Sequence, residues 1–179
     1  DGSFEFKGGH CAIGEIPEER WDWQRYFSAE KGQPGHLYTR WGGFIEGIDQ
    51  FDAAFFRISR TEAERMDPQE RLFLQVAYHS IEDAGYNPAT LHQQGEVGVF
   101  VGVMNGSYNP ISNYWSIANR VSYQLDLQGP SLALDSACSS SLTAIHLAVE
   151  SLISGSCDLA IAGGINLIVN PQHYLGLCE

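Results

Sequence analysis

The spacing of hydrophobic and polar positions predicts a long helix in the middle of the chain. Across residues 68–84, apolar side chains recur at intervals of three and four, as on one face of a helix. Asp67 fits the N-cap, Pro68 fits the first helical position, and Glu70 completes a capping box. Gly85 supplies the stop signal that commonly follows a helix.

Short apolar runs elsewhere predict strands. Residues 96–104 are apolar and β-branched with little polar alternation, which is typical of a strand buried on both faces of a mostly parallel sheet. Residues 131–135 and 158–169 predict two more strands, the second interrupted at Gly163 and Gly164. We expect further helices over residues 116–127 and 139–154, and strands that alternate with helices predict an α/β layered fold.

The helix over residues 139–154 carries large aliphatic side chains at helical spacing. We call this set the apolar stripe and expect the helix to bury it against the core. Its members are Leu142, Ile145, Val149, Leu152 and Ile153.

The first 50 residues show neither a helical nor a strand period. They hold three of the four tryptophans among Gly, Pro and charged residues, which indicates a packed irregular segment rather than a linker. We therefore expect a single partial domain over residues 1–179. It would consist of an irregular segment, residues 1–50, followed by an α/β part, residues 51–179.

Composition narrows the class of protein. The chain has 179 residues, of which 44% are hydrophobic and 18% charged, as in an ordinary globular domain. A net charge of −12 argues against a nucleic-acid partner. No apolar run approaches the roughly 20 residues of a membrane span, and the first residues lack a signal-peptide core. A cytoplasmic protein with reduced thiols and no membrane contact is the expectation.

One cysteine stands out by its position. The four cysteines form no C-x-x-C pair, so we expect no metal site. Cys138, however, lies between the strand predicted to end near Asp135 and the helix predicted to start near Ser139. Such a turn pushes a side chain out of the sheet, and a helix N-terminus favours the thiolate. The alternative is a small buried residue in a tight turn, and local context weighs the two about equally.

No base for this cysteine is evident in the sequence. His146 is eight helical residues further on, about 12 Å at 1.5 Å per residue, which exceeds hydrogen-bond reach. The other histidines sit in no motif. A redox role has little support, since no resolving cysteine lies at a useful spacing.

The segment DSACSSSL at residues 135–142 resembles the nucleophile motif of β-ketoacyl synthases, most closely the ketosynthase domains of modular polyketide synthases. The stretch YTRWGGFIEGIDQFDAAFF, residues 38–56, and the closing HYLGLCE are similar to the bacterial subtype served by separate acyltransferases. Further segments resemble the family in the same order. They are MDPQERLFL (66–74), GVFVGV (98–103), SIANRVSY (116–123), GPSLALD (129–135) and LAIAGGINL (159–167).

The resemblance implies a thiolase-like layered αβαβα fold, of which this chain is most of the first half, and a homodimer. It implies that Cys138 takes an acyl group from the phosphopantetheine arm of an acyl carrier protein, with its own backbone N–H as an oxyanion donor. A decarboxylative Claisen condensation with a malonyl-type extender would follow. Ala137 and Asn105 are the expected acyl-pocket residues, and no cofactor bound by the chain itself is expected.

Some family features are missing or altered. The two catalytic histidines of the family lie in H-G-T-G-T and N-I-G-H type motifs of its second half, and neither motif occurs here. The remainder of the ketosynthase domain is therefore an expected partner, and the isolated chain is expected not to catalyse condensation. Ser136 and Arg60 stand where the family more often has Thr and Pro. The alternative function is a non-condensing, structural or acyl-holding ketosynthase-like segment.

Overall fold

The computed structural model describes residues 11–104, 108 and 113–178. The chain divides into two compact units: the first takes the residues up to Gly47 and those from Ile168 onwards, and the second is Ile48–Leu167. The strands are β1 (Ile13–Glu15), β2 (Trp41–Gly43), β3 (Val97–Val103), β4 (Ser131–Leu134) and β5 (Leu159–Ile165). The helices are α1 (Arg60–Arg65), α2 (Pro68–Asp83), α3 (Trp115–Gln124), α4 (Ser140–Ile153) and α5 (Gln172–Cys178). Short 3₁₀ helices span Trp23–Tyr26 and Pro88–Gln94.

The second unit is built on a parallel sheet with the strand order β4–β3–β5. The central strand β3 is buried along its whole length, which confirms the prediction of a strand covered on both faces. The predicted break in the following strand is wrong. Strand β5 runs through Gly163 and Gly164 and pairs with β3 from Val97↔Leu159 to Val103↔Ile165.

Helices cover both faces of this sheet. On one face, Val99 and Val101 pack in a core with Leu74 of α2 and Val121 of α3. On the other face, the fully buried ring of Phe100 packs with alanines of α4. Burying a side chain of this size stabilises the fold by about 1.5–3 kcal/mol. The predicted α/β layers are therefore present.

Helix α2 begins and ends where its sequence signals predict. The Asp67 side chain accepts a hydrogen bond of 2.8 Å from the Gln69 N–H, and Pro68 occupies the first turn. At the other end, Gly85 adopts φ 83° and donates its N–H to the carbonyl of Glu82. Both signals are local, so they act whatever the helix packs against.

The second half of the predicted capping box is wrong. The two carboxylate oxygens of Glu70 accept from Arg120 Nε at 2.8 Å and Ser116 Oγ at 3.1 Å. Arg120 also donates to Glu62 at 2.8 Å. Burial lowers the pKa of Arg120, but its hydrogen bonds and charge contacts with Glu70 and Glu62 outweigh this and raise it. Glu70 is only 5% exposed, and a buried carboxylate is costly unless a cation pairs with it. The ion pair with Arg120 is therefore favoured over a hydrogen bond from the Asp67 N–H to the Glu70 carboxylate.

The expectation that α4 buries its apolar stripe is also wrong. Leu142 is 72% exposed and Ile153 is 77% exposed, and all five stripe residues face outward. A large side chain would hold the helix away from the sheet, whereas small ones let the two backbones approach closely. The buried face of α4 is formed by small residues, Ser140, Ala144 and Ala148.

The first unit is small and aromatic. Strands β1 and β2 form an antiparallel ribbon, and the Tyr174 hydroxyl of α5 donates to the Trp41 carbonyl at 2.9 Å. Trp21 packs edge-on against Tyr174 with ring centroids 5.8 Å apart. Its buried core residues are Ile16, Leu37, Tyr174 and Cys178.

The buried cap of α2 predicts a pH-dependent stability difference. Burial raises the pKa of the Asp67 carboxyl, since desolvation penalises its charged form. The folded state then holds this proton more tightly than the unfolded state, so the stabilising contribution of Asp67 falls as pH rises through that raised pKa. D67N keeps a side-chain acceptor for Gln69 and removes the charge. We expect the Tm advantage of D67N over wild type to grow between about pH 3.5 and pH 7.

Thermal unfolding across that pH range measures this difference. D83N, which removes an exposed carboxylate at the far end of the same helix, is the matched control. A Tm difference between D67N and wild type that does not change with pH would contradict the prediction.

Candidate active site

Cys138 lies in the turn that joins β4 to α4. Strand β4 ends at Leu134 and α4 begins at Ser140, so the predicted strand-to-helix turn is present. The Cys138 thiol is exposed, whereas Cys157 is buried. Exposure removes the interpretation of Cys138 as a small buried filler. We call residues 135–140 the elbow.

The residue before the cysteine has a strained backbone. Ala137 adopts φ 55°, a left-handed conformation that costs a residue with a Cβ about 1–3 kcal/mol. Its N–H donates to Asp135 Oδ1 at 2.8 Å. Its carbonyl accepts from both the N–H and the hydroxyl of Ser140, at 3.0 and 2.7 Å. Hydrogen bonds on both sides of Ala137 therefore hold the strained conformation.

Hydroxyl groups surround the elbow. Ser140 Oγ accepts from the Ser136 N–H at 2.9 Å, so one hydroxyl contacts two peptide units. Ser136 Oγ lies 3.0 Å from Thr143 Oγ1, and the Ser139 hydroxyl donates to the Ser136 carbonyl at 2.8 Å. Ser136 supplies one of the hydroxyls that this network uses.

Two glycines let the first turn of α4 lie directly on the sheet. Gly102 of β3 and Gly164 of β5 are register partners. A Cβ on Gly102 would lie 2.5 Å from the carbonyl carbon of Ser140, and a Cβ on Gly164 would overlap the Ser141 hydroxyl. Only glycine permits this approach, which fixes the elbow at the carboxyl end of the parallel strands.

A cavity of about 280 Å³ opens beside the thiol. Ala137 lines it, and its role in binding an acyl group stays a prediction. Asn105, the other predicted pocket residue, lies outside the described residues. Sequence reasoning missed residues that follow or end β3 and β5, although ligands commonly bind at the carboxyl ends of parallel strands. These lining residues are Met104, Ile165 and Asn166.

Cys138 lines this cavity, and its backbone amide differs from the two amides that follow it in the turn. The turn uses the N–H groups of Ser139 and Ser140, which donate to the carbonyls of Ser136 and Ala137. Within the described residues, no carbonyl accepts from the Cys138 N–H. An amide at the start of a helix can stabilise a developing oxyanion, which is the role predicted for it.

No base accompanies the thiol in the described part of the chain. The residues that line the cavity include no histidine, and His146 lies exposed on α4. Residues 11–104, 108 and 113–178 hold no group of three or more His, Cys, Asp or Glu side chains that could bind a metal ion. None of their helices is long and apolar enough to cross a membrane. The arrangement can accept a group on sulfur, but it offers no histidine to move a proton.

A larger cavity, of about 1,180 Å³, lies at the start of α2. Its described walls include Glu62 and Glu70, which both pair with Arg120, and they include no cysteine. The exposed thiol therefore makes the smaller cavity the candidate active site.

The family follows from a comparison with known proteins. Residues 6–179 match the model of the β-ketoacyl synthase N-terminal domain, and the chain belongs to this family. Polyketide synthase PksM of Bacillus subtilis strain 168 is 64% identical over 171 residues, which are 96% of this chain and 4% of PksM. Polyketide synthase ThaG of Burkholderia thailandensis is 54% identical over 187 residues, covering 97% of this chain and 3% of ThaG.

Solved ketosynthase structures share the fold. An oxazolomycin ketosynthase domain from Streptomyces albus JA3453 superimposes with a TM-score of 0.91 at 45% identity, over 96% of this chain and 32% of that one. The ketosynthase from module 6 of the bacillaene synthase of Bacillus subtilis 168 gives 0.88 at 38% identity, over 97% and 30%. The predicted family and the thiolase-like layered fold, present in part, are confirmed. The chain spans about a third of these solved ketosynthases.

The close approach at Gly102 predicts that G102A disturbs the elbow. The added Cβ would push backbone atoms of Ser140, which cannot rotate away as a flexible side chain can. We expect the free energy of unfolding to fall by about 1–3 kcal/mol, as for other overpacked sites. Urea unfolding measures it. G176A, where a Cβ meets nothing within 4 Å, is the control, and equal stability of the two variants would contradict the account.

Proposed function

We propose that this chain is the nucleophile-bearing part of a ketosynthase of a bacterial polyketide synthase, of the type served by separate acyltransferases. The observation that carries the proposal is the exposed Cys138 thiol on a strained strand-to-helix elbow beside a cavity. Membership in the β-ketoacyl synthase family supports the same assignment.

The first step is acyl transfer to sulfur. The Cys138 thiolate attacks the carbonyl carbon of an acyl thioester carried on the phosphopantetheine arm of an acyl carrier protein. The backbone N–H of Cys138 donates to the oxyanion that forms. When the intermediate collapses, the bond from carbon to the pantetheine sulfur breaks, and that sulfur leaves as a thiolate that takes up a proton. The arm belongs to the partner, so the chain binds no cofactor of its own.

The second step is condensation and needs residues beyond this chain. A malonyl-type extender loses CO₂, and its α-carbon attacks the acyl carbonyl on Cys138. The new carbon–carbon bond forms as the Cys138 sulfur leaves. Covalent storage of the acyl group splits one difficult reaction into two easier ones. The remainder of the ketosynthase domain would supply the two histidines, so the isolated chain would hold an acyl group without condensing it.

The outward face of α4 supports the remainder of the ketosynthase domain as a partner. The apolar stripe exposes five neighbouring aliphatic side chains to solvent, including Leu152 at 43% and Ile153 at 77% exposure. Contiguous exposed apolar surface of this kind marks an interaction site. Because the solved ketosynthases are about three times as long as this chain, we assign the stripe to the remainder of the domain.

We also propose a homodimer. In the second unit β4 lies at the edge of the three-stranded sheet, and its Leu132 is 45% exposed. An unpaired edge strand presents backbone N–H and carbonyl groups that can pair with another chain. Family membership favours a second copy of the ketosynthase as the partner.

A second candidate function is an acyl-holding segment that does not condense. The observation in its favour is that the described residues of the cavity wall include a thiol but no histidine. The two functions differ in the second step alone. A complete domain that forms the acyl-enzyme and then yields no β-ketoacyl product with a malonyl carrier would favour the second.

The assignment of Cys138 predicts loss of acylation in C138A. In the complete ketosynthase domain, incubation with an acyl-pantetheine thioester should add one acyl mass to wild type and none to C138A, because no other described cysteine lines the cavity. Intact-mass spectrometry measures the adduct. C11A removes another exposed thiol and should leave the adduct unchanged. An adduct that persists in C138A would contradict the proposal.

The assignment of the apolar stripe predicts that I153K destabilises the complete domain. A lysine at the end of α4 suits the helix dipole, so the helix itself is not weakened. Once the second half covers this face, the unpaired charge should lower the free energy of unfolding by at least about 2 kcal/mol. V76K, on the exposed side of α2, is the control. Equal unfolding free energies for the two variants would show that the stripe remains exposed to solvent in the complete domain, which would contradict the assignment.

A further inference from the structure

We infer that Ser140 is a positioning residue for acylation: its hydroxyl ties the peptide unit before Ser136 to the peptide unit after Ala137 and so holds the Cys138 sulfur at the cavity. The inference rests on the proposed function of Cys138 as the acylated nucleophile. It assigns to Ser140 a role that the motif alone does not state, since three consecutive serines follow the cysteine.

The hydroxyl of Ser140 makes two short hydrogen bonds across the elbow. It accepts from the Ser136 N–H at 2.9 Å and donates to the Ala137 carbonyl at 2.7 Å. The hydroxyl therefore both accepts from the peptide unit that precedes Ser136 and donates to the peptide unit that follows Ala137. No other side chain in the described elbow contacts both of these units.

Burial makes this contact hard to replace. Ser140 is 5% exposed and sits over Gly102, so water cannot readily take the place of its hydroxyl. The Ser136 and Ser139 side chains bond each other nearby but are exposed, where water can substitute for them. Of the three serines in the elbow, Ser140 is thus the one that is buried.

The strain at Ala137 converts this loss into movement of the nucleophile. A positive φ persists only where surrounding contacts impose it, and the Ser140 hydroxyl supplies one contact at the Ala137 carbonyl and one at the Ser136 N–H. Without the hydroxyl, Asp135 still accepts from the Ala137 N–H, and the Ser140 N–H still donates to the Ala137 carbonyl. We therefore expect a looser elbow rather than an unfolded one. A misplacement of about 1 Å at a reacting group can cost about 100-fold in rate.

Single-turnover acylation of the complete ketosynthase domain tests the inference. S140A should acylate about 10–100-fold more slowly than wild type at saturating acyl-pantetheine thioester. The thioester concentration that gives half the maximal rate should stay within about twofold of wild type, because the substrate's own contacts are kept. S154A is the control: it removes a serine hydroxyl that donates to the Ser151 carbonyl at the far end of α4.

S140T separates the hydroxyl from the side chain as a whole. A threonine in a helix can donate to the carbonyl three residues earlier, which is here Ala137, so S140T should recover most of the rate. If S140A fails to fold, S140T carries the test. The inference is overturned if S140T folds but acylates about 10-fold or more slowly than wild type.

Hydrogen exchange at the Ser136 amide gives a readout independent of acyl chemistry. Loss of the Ser140 acceptor should speed exchange of this amide by about 10-fold or more in S140A and leave it unchanged in S154A. A wild-type acylation rate in S140A, or a loss confined to the half-saturating concentration, overturns the inference. Failure of the proposed function looks different: wild type then forms no adduct or C138A keeps one, while amide exchange still reports whether Ser140 holds the elbow.

Discussion

The close approach of α4 to the parallel sheet is the constraint on which the site depends. Gly102 and Gly164 stand side by side on neighbouring strands, and the first turn of α4 rests on the space that their missing side chains leave. This contact fixes where the helix starts, and the start of the helix fixes the elbow. The elbow in turn presents Cys138 beside the cavity. A packing requirement in the sheet thus sets the position of an exposed thiol.

The same contact explains the unusual distribution of side chains on α4. A helix that lies this close to a sheet must turn small residues inward, which leaves its large aliphatic residues facing outward. Such a face is unfavourable in water, so the helix suits a larger assembly in which a further layer covers it. In the proposed function, the remainder of the ketosynthase domain supplies that layer. The proposed catalytic groups are divided between the same two parts: this chain carries the thiol, and the remainder of the ketosynthase domain would carry the histidines.

Prediction from sequence succeeded where the signals are local. The start of α2 at Asp67, its stop at Gly85 and the buried strand β3 depend on neighbouring residues or on a continuous apolar run, and all three were found. It failed where a residue's partner lies far along the chain. Glu70 fits a capping box by spacing, but Arg120 approaches it from α3, 50 residues away.

In the candidate site, too, the local features could be predicted from the sequence and the features that depend on distant residues could not. The turn around Cys138 could be predicted because a strand, a cysteine and a helix follow one another directly. The cavity wall could not, since Met104 and Asn166 reach it only when β3 and β5 pair. The glycine pair was misread as a break in a strand for the same reason. From the sequence alone, a glycine that interrupts a strand cannot be distinguished from a glycine that lets a helix pack closely on the strand.

The most direct test of the central claim is to locate the acyl group on the complete ketosynthase after reaction with an acyl carrier protein that bears its thioester. Proteolysis followed by tandem mass spectrometry would identify the modified residue. The account predicts an acyl thioester on Cys138 and on no other cysteine of the chain. Modification of Cys11, Cys157 or Cys178 instead, or transfer of the acyl group without any covalent adduct, would contradict it.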